Sequence, residues 1–153
     1  MENNILKIKT MIGKKLHAIA FHARHDISEL RLARFIYDGD YLDLFSSMIS
    51  IGGWDEIGQI LVIKKEGLFK NDSEIKYLVL HNFVIKSVNV YNFSVNPNYS
   101  VTNGIQFVDN ERYLTLQAGA SPGSLTINSN FINCNPKPEM YYDDYDRVEK
   151  IGL

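Results

Sequence analysis

Asp38-Gly39 stands between two apolar, aromatic-containing runs, residues 30–37 and 41–48. That arrangement is a strong short-range signal for a β-hairpin, because glycine takes the left-handed backbone conformation a tight turn requires. Asp109-Asn110-Glu111 repeats the signal between residues 105–108 and 113–116. Further short apolar runs occupy residues 60–63, 75–80, 84–93 and 125–132. In the second of these, Ile75, Tyr77 and Val79 alternate with Lys76, Leu78 and Leu80, which predicts a strand covered on both faces. Residues 50–58 contain Gly52, Gly53 and Gly58, and residues 92–103 are rich in asparagine, serine and proline, so both read as loops. Asn135-Pro136-Lys137-Pro138 then ends regular sheet, since proline cannot donate to a ladder.

The N-terminus follows a different period. Ile5, Ile8, Ile12, Leu16 and Ile19 recur at spacings of three and four and predict one face of an amphipathic helix over residues 3–22. Lys7, Lys9, Lys14 and Lys15 fall mostly off that face. The expected fold is therefore mostly β (α+β): an antiparallel β-sandwich or partly open barrel with one N-terminal amphipathic helix. A chain of 153 residues suits a single domain, with a β core over residues 26–134 and an acidic Tyr/Asp-rich tail over residues 135–153.

Composition narrows the function classes. A formal net charge of −2 disfavours general nucleic-acid affinity. No run of about 18 apolar residues occurs, so no membrane partner is expected. Lysines interrupt the apolar part of the first segment, which lacks a secretory pattern, and Cys134 is alone. Both point to a reducing, cytoplasmic setting. On the same ground, the sequons at Asn71, Asn92 and Asn98 read as ordinary loop asparagines.

Gly119-Ala120-Ser121-Pro122-Gly123 matches G-x-S-x-G, the nucleophile elbow of serine hydrolases. That elbow needs a backbone N–H on the residue after the serine, a following helix and a later histidine. Here Pro122 has no N–H, residues 125–127 read as strand, and the last histidine is His81. The segment reads as a tight turn. His22, His25, Asp26 and Glu29 could share part of a metal site, but H-x-x-H lacks the glutamate of the zinc-protease pattern. No catalytic residue, metal or cofactor is expected.

Two segments have the composition of a binding surface. Trp54 is the only tryptophan and lies beside Asp55 and Glu56. Tyr141, Tyr142, Asp143, Asp144, Tyr145 and Asp146 form the most unusual stretch of the chain, and residues 139–150 carry a local net charge of −3 against +4 over residues 1–25. Aromatic side chains supply rigid contact area and acids steer toward a basic partner.

The start at His25-Asp26, the hairpin RFIYDGDYLDL, the run KYLVLHNFVIKSVNV and the closing SLTINSNF together resemble small, strand-rich bacterial immunity proteins of polymorphic-toxin systems. The resemblance spans residues 25–134, and the lysine-bearing N-terminus and the Tyr/Asp tail depart from it. It implies a non-enzymatic protein that neutralises a cognate protein toxin by direct binding. Two alternatives stand beside it: a nucleic-acid-binding β-barrel module that uses the lysine-rich N-terminal helix, and a small-ligand or sugar-binding β-domain.

Overall fold

The computed structural model describes residues 2–22, 30–52, 55–63, 74–96, 99–118, 123–132 and 147–152. A short helix, α1 (Glu2–Lys9), precedes β1 (Lys15–His22), β2 (Leu32–Tyr37), β3 (Asp40–Gly52), β4 (Asp55–Ile63) and β5 (Ile75–Val84). Then follow β6 (Ser87–Asn96), β7 (Tyr99–Asp109), β8 (Arg112–Ala118), β9 (Leu125–Ser129) and β10 (Arg147–Gly152). The first five strands form one antiparallel sheet in the order β4-β3-β2-β1-β5, and the last five form a second in the order β10-β6-β7-β8-β9. The protein is mostly β, with two antiparallel sheets, one short N-terminal helix and no closed barrel.

Alternation along each strand decides what lies between the sheets. Ile19, Phe35, Leu44 and Val62 from the first sheet meet Val90, Ile105, Phe107, Leu116 and Ile127 from the second in a single apolar cluster. Phe35 and Phe107 face each other with ring centroids 5.0 Å apart. Such tilted aromatic pairs add roughly 0.5–1.5 kcal/mol to the area they bury.

Both hairpin signals are realised. Tyr37 pairs with Asp40 around Gly39, whose φ is +72°, and Asp109 pairs with Arg112 around Asn110, whose φ is +53°. The helix over residues 3–22 is not. It ends at Lys9, Gly13 turns the chain with a φ of +85°, and residues 15–22 are strand. The misleading spacing has a physical cause. β1 is bulged between Leu16 and Ala18, so an extra residue restores Leu16 and Ile19 to the same face at a separation of three. Both are fully buried, as a helical stripe would be.

The expected loops at residues 50–58 and 92–103 are also corrected. Most of the first lies in the paired ends of β3 and β4, where Ser50 sits opposite Glu56. Most of the second lies in β6 and β7, where Asn92 pairs with Thr102. Asparagine is a poor strand former until its amide finds a partner inside, and here the Asn92 side chain accepts from the Thr102 hydroxyl at 3.0 Å. The β core reaches beyond residues 26–134 at both ends, because β1 precedes it and β10 pairs with β6.

One edge of the first sheet is closed by side chains. The carbonyls of Gly58, Ile60 and Val62 on β4 accept from Asn103 (2.7 Å), Asn4 (3.2 Å) and Lys7 (3.0 Å). Asn4 also accepts from the Val62 N–H at 3.2 Å, so its amide behaves like one residue of a neighbouring strand. Close approach of the second sheet requires glycine at position 58, where a Cβ would stand 2.7 Å from the Ala118 Cβ. Gly58→Ala is expected to destabilise the fold by about 1–3 kcal/mol, read from the urea midpoint, since neither backbone-borne atom can swing aside.

Candidate functional site

The outward face of the first sheet is built by the residues that alternate with its core. Register places Tyr77, Ala20, Arg34, Asp43 and Ile63 in one row across β5, β1, β2, β3 and β4. The next row runs Val79, Ala18, Ile36 and Tyr41. Neighbouring strands lie about 4.8 Å apart, so the distance from Tyr77 to Asp43 is roughly 14 Å.

Charge enters this face as a matched pair. Arg34 donates from Nε to Asp43 Oδ1 at 2.7 Å and from Nη2 to Oδ2 at 3.0 Å, a bidentate fork. The Asp43 side chain is fully buried and that of Arg34 is 18% exposed. The hydrogen bonds it donates to Asp43 hold the Arg34 guanidinium above its ordinary pKa, against the opposing effect of burial. The guanidinium also lies over the Tyr41 ring, 4.1 Å from its centroid.

Beside this pair the sheet ends in β5, whose far side meets no described strand. Tyr77 is 57% exposed and Val79 is 58% exposed, two of the three large exposed hydrophobic residues described. Covering on both faces was expected for this strand. Its outer face is instead exposed at Tyr77 and Val79, which stand beside the short side chains of Ala20 and Ala18 and have a described neighbouring strand on one side only. The C-terminal part of β5 is tied down, with Arg112 donating to the carbonyls of His81 (3.0 Å) and Asn82 (2.6 Å).

No protein-family model, curated protein or solved structure matches this chain. The site is therefore argued from its own chemistry.

Sequence reading placed the binding surface elsewhere. Trp54, Tyr141, Tyr142, Asp143, Asp144, Tyr145 and Asp146 lie outside the described residues. Asp55 and Glu56 lie in β4, opposite Gly52 and Ser50. Of the metal candidates, His22 ends β1 opposite Ile75, while His25, Asp26 and Glu29 lie outside the described residues. Among the described residues no three of His, Cys, Asp and Glu come together. Ser121 lies outside them too, and the element after Gly123 is strand β9, where a nucleophile elbow needs a helix. Among the described residues no helix is long and apolar enough to cross a membrane. The lysine-rich helix does not form as a unit, because α1 carries only Lys7 and Lys9, and Lys7 is held by the Val62 carbonyl.

At the rim of the first sheet, Asp38 accepts from the Lys15 N–H at 3.1 Å and meets His17 Nε2 at 2.5 Å. The hydrogen bond with His17, then that from Lys15, lowers the Asp38 pKa below the usual carboxylate value. A lowered folded value means that this contact stabilises the fold above the ordinary carboxyl pKa and is lost as pH falls through the lowered one.

Two outcomes are expected. A carbon-detected NMR titration should find Asp38 below the ordinary carboxylate range, and His17→Ala should move it back up. Asp43→Ala should cost about 3 kcal/mol in chemical denaturation, because it strands a largely buried guanidinium, while Arg34→Met/Asp43→Leu should recover most of that loss.

Proposed function

We propose that this chain is a non-enzymatic binding protein and that its partner is a protein toxin, which it neutralises by direct contact through the outward face of the first sheet. The observation that carries the reading is the exposure of Tyr77 and Val79 on an end strand, next to the Arg34–Tyr41 stack. Tyrosine and arginine dominate the energy of protein interfaces, since each offers a large contact area with a polar tip. A strand edge with no neighbour among the described strands adds main-chain donors and acceptors to which an extended partner segment can pair. The Arg34–Asp43 pair satisfies its own charges, so a partner can cover it without stranding an ion.

The toxin as partner class rests on the resemblance of residues 25–134 to immunity proteins. Trp54, Asp55, Glu56 and the Tyr141–Asp146 stretch belong to the same proposal as a second contact region. Acidic residues there would raise the rate of encounter with a basic partner more than the final affinity.

The test starts with capture of the partner from the native host by the tagged full chain, followed by titration calorimetry with the purified partner. Tyr77→Ala/Val79→Ser is expected to weaken binding by about 2 kcal/mol, roughly 30-fold, while changing stability by less than about 0.5 kcal/mol. Asp143→Asn/Asp144→Asn/Asp146→Asn is expected to slow association and flatten its salt dependence. Full affinity in the first variant removes the sheet face from the interface, and an unchanged association rate in the second removes the tail. A captured nucleic acid released by salt would replace the reading altogether.

A further inference from the structure

The register of β6 and β7 shifts between Tyr91↔Gly104 and Asn92↔Thr102, which makes Asn103 the extra residue of a bulge. The bulge aims the Asn103 side chain at the first sheet, where its Nδ2 donates to the Gly58 carbonyl at 2.7 Å. Ser46 on β3 approaches the same glycine, its Oγ lying 3.2 Å from where a Cβ would stand. Asn92 is bonded to Thr102, the residue before Asn103.

Three polar atoms here have no hydrogen-bond partner among the described residues: Ser46 Oγ, Asn92 Nδ2 and Asn103 Oδ1. Their residues are 9%, 0% and 2% exposed. Buried polar atoms in folded proteins almost always find a partner, and an unmade bond costs more than a made one gains. The orphaned set has a specific composition. Asn92 Nδ2 can only donate, Asn103 Oδ1 can only accept, and the serine hydroxyl can do either. Reversing the Asn92 amide would bring Nδ2 to the Thr102 hydroxyl and leave Oδ1 orphaned in its place, so a partner is still required. Reversing Asn103 would set its oxygen against the Gly58 carbonyl, which fixes its orientation.

We propose that Ser46, Asn92 and Asn103 form a buried water-binding site between the two sheets at Gly58. Water matches the set because it donates to Asn103 Oδ1 and Ser46 Oγ while accepting from Asn92 Nδ2. An anion would meet the Asn103 oxygen and a cation would meet the Asn92 amide protons. No charged side chain belongs to the set, and the glycine opposite Ala118 keeps the space small. Buried waters of this kind make two to four bonds to polar groups that the protein leaves unpaired. This one joins β3 of the first sheet to β6 and β7 of the second, so it acts as a polar rivet between the two sheets. The site is independent of the partner-binding reading.

Solvent itself is the probe. A high-resolution crystal structure of the full chain is expected to place an ordered water within hydrogen-bond distance of at least two of the three atoms. Solvent-to-protein cross-relaxation by NMR should give a peak at the Asn92 side-chain amide protons. Direct pairing of the three atoms with one another, without such a water or peak, overturns the site. Ser46→Ala supplies an independent sign. With water bound it removes one leg of the bridge and lowers the urea midpoint. With a dry, unpaired hydroxyl it relieves a desolvation cost and leaves the midpoint unchanged or raised, which overturns the proposal.

Discussion

Among the named strands, the chain passes from the first sheet to the second between β5 and β6, at residues 85–86. A backbone bridge between Leu30 and Leu125 ties the sheets elsewhere, and the crossing itself is held by a dense set of bonds. Gly13 donates to the Ile85 carbonyl at 2.7 Å, and Ile85 donates back to Lys14 at 3.0 Å. Lys86 donates to Val108 at 2.9 Å, and the Val84 N–H reaches Asp109 Oδ2 at 3.0 Å. Arg112 completes the clamp. It pairs with Asp109 at 2.7 Å, bonds two carbonyls of β5 and lies 5.4 Å from the ring centroids of both Phe83 and Phe131. One guanidinium thus joins the end of the first sheet to the β7–β8 hairpin of the second and lies near two aromatic rings.

That clamp explains an asymmetry between the two edges of the first sheet. At β4, α1 and the bulged Asn103 satisfy the outward carbonyls, so this edge is unavailable to a neighbour. At β5, the clamp occupies His81 and Asn82 but leaves the stretch from Ile75 to Leu80 to end the sheet with Tyr77 and Val79 exposed. Proteins that avoid aggregation blunt such edges with lysine, proline or bulges. Here only Lys76 interrupts the apolar alternation. Among the described residues, then, the β4 edge is met by side chains at three carbonyls and the β5 edge only in its C-terminal part.

Much of the fold was legible because the signals were local. Asp38-Gly39 and Asn110 announce their turns through backbone conformations that few residues adopt, and no distant contact alters that. The misread segments all depend on something nonlocal. Leu16 and Ile19 mimic a helix because a bulge, set by pairing with both β2 and β5, moves the alternation by one residue. Asn92 and Asn103 look like loop residues until their partners across the chain, Thr102 and Gly58, are known. The candidate site was less legible. The alternation of Ile75, Tyr77 and Val79 marked a strand, but apolar alternation alone does not say whether the strand ends a sheet. Arg34 and Asp43 stand nine positions apart, and only the register of the first hairpin makes them opposite.

The Arg34–Asp43 pair also bears on why an apolar outward face need not be indiscriminately sticky. A charge fixed in a bidentate fork cannot reorient to suit an arbitrary neighbour, and Asp43 is already fully buried. On the proposed reading, a partner that covers the face must fit around this fixed fork, whereas Tyr77 and Val79 can pack against apolar surface of many shapes. Under that proposal, attraction would come from β5 and discrimination from the pair about three strand spacings across the same face. The two features share one face with β1 between them, because the hairpin register fixes the fork on β2 and β3 while Tyr77 and Val79 stand exposed on β5.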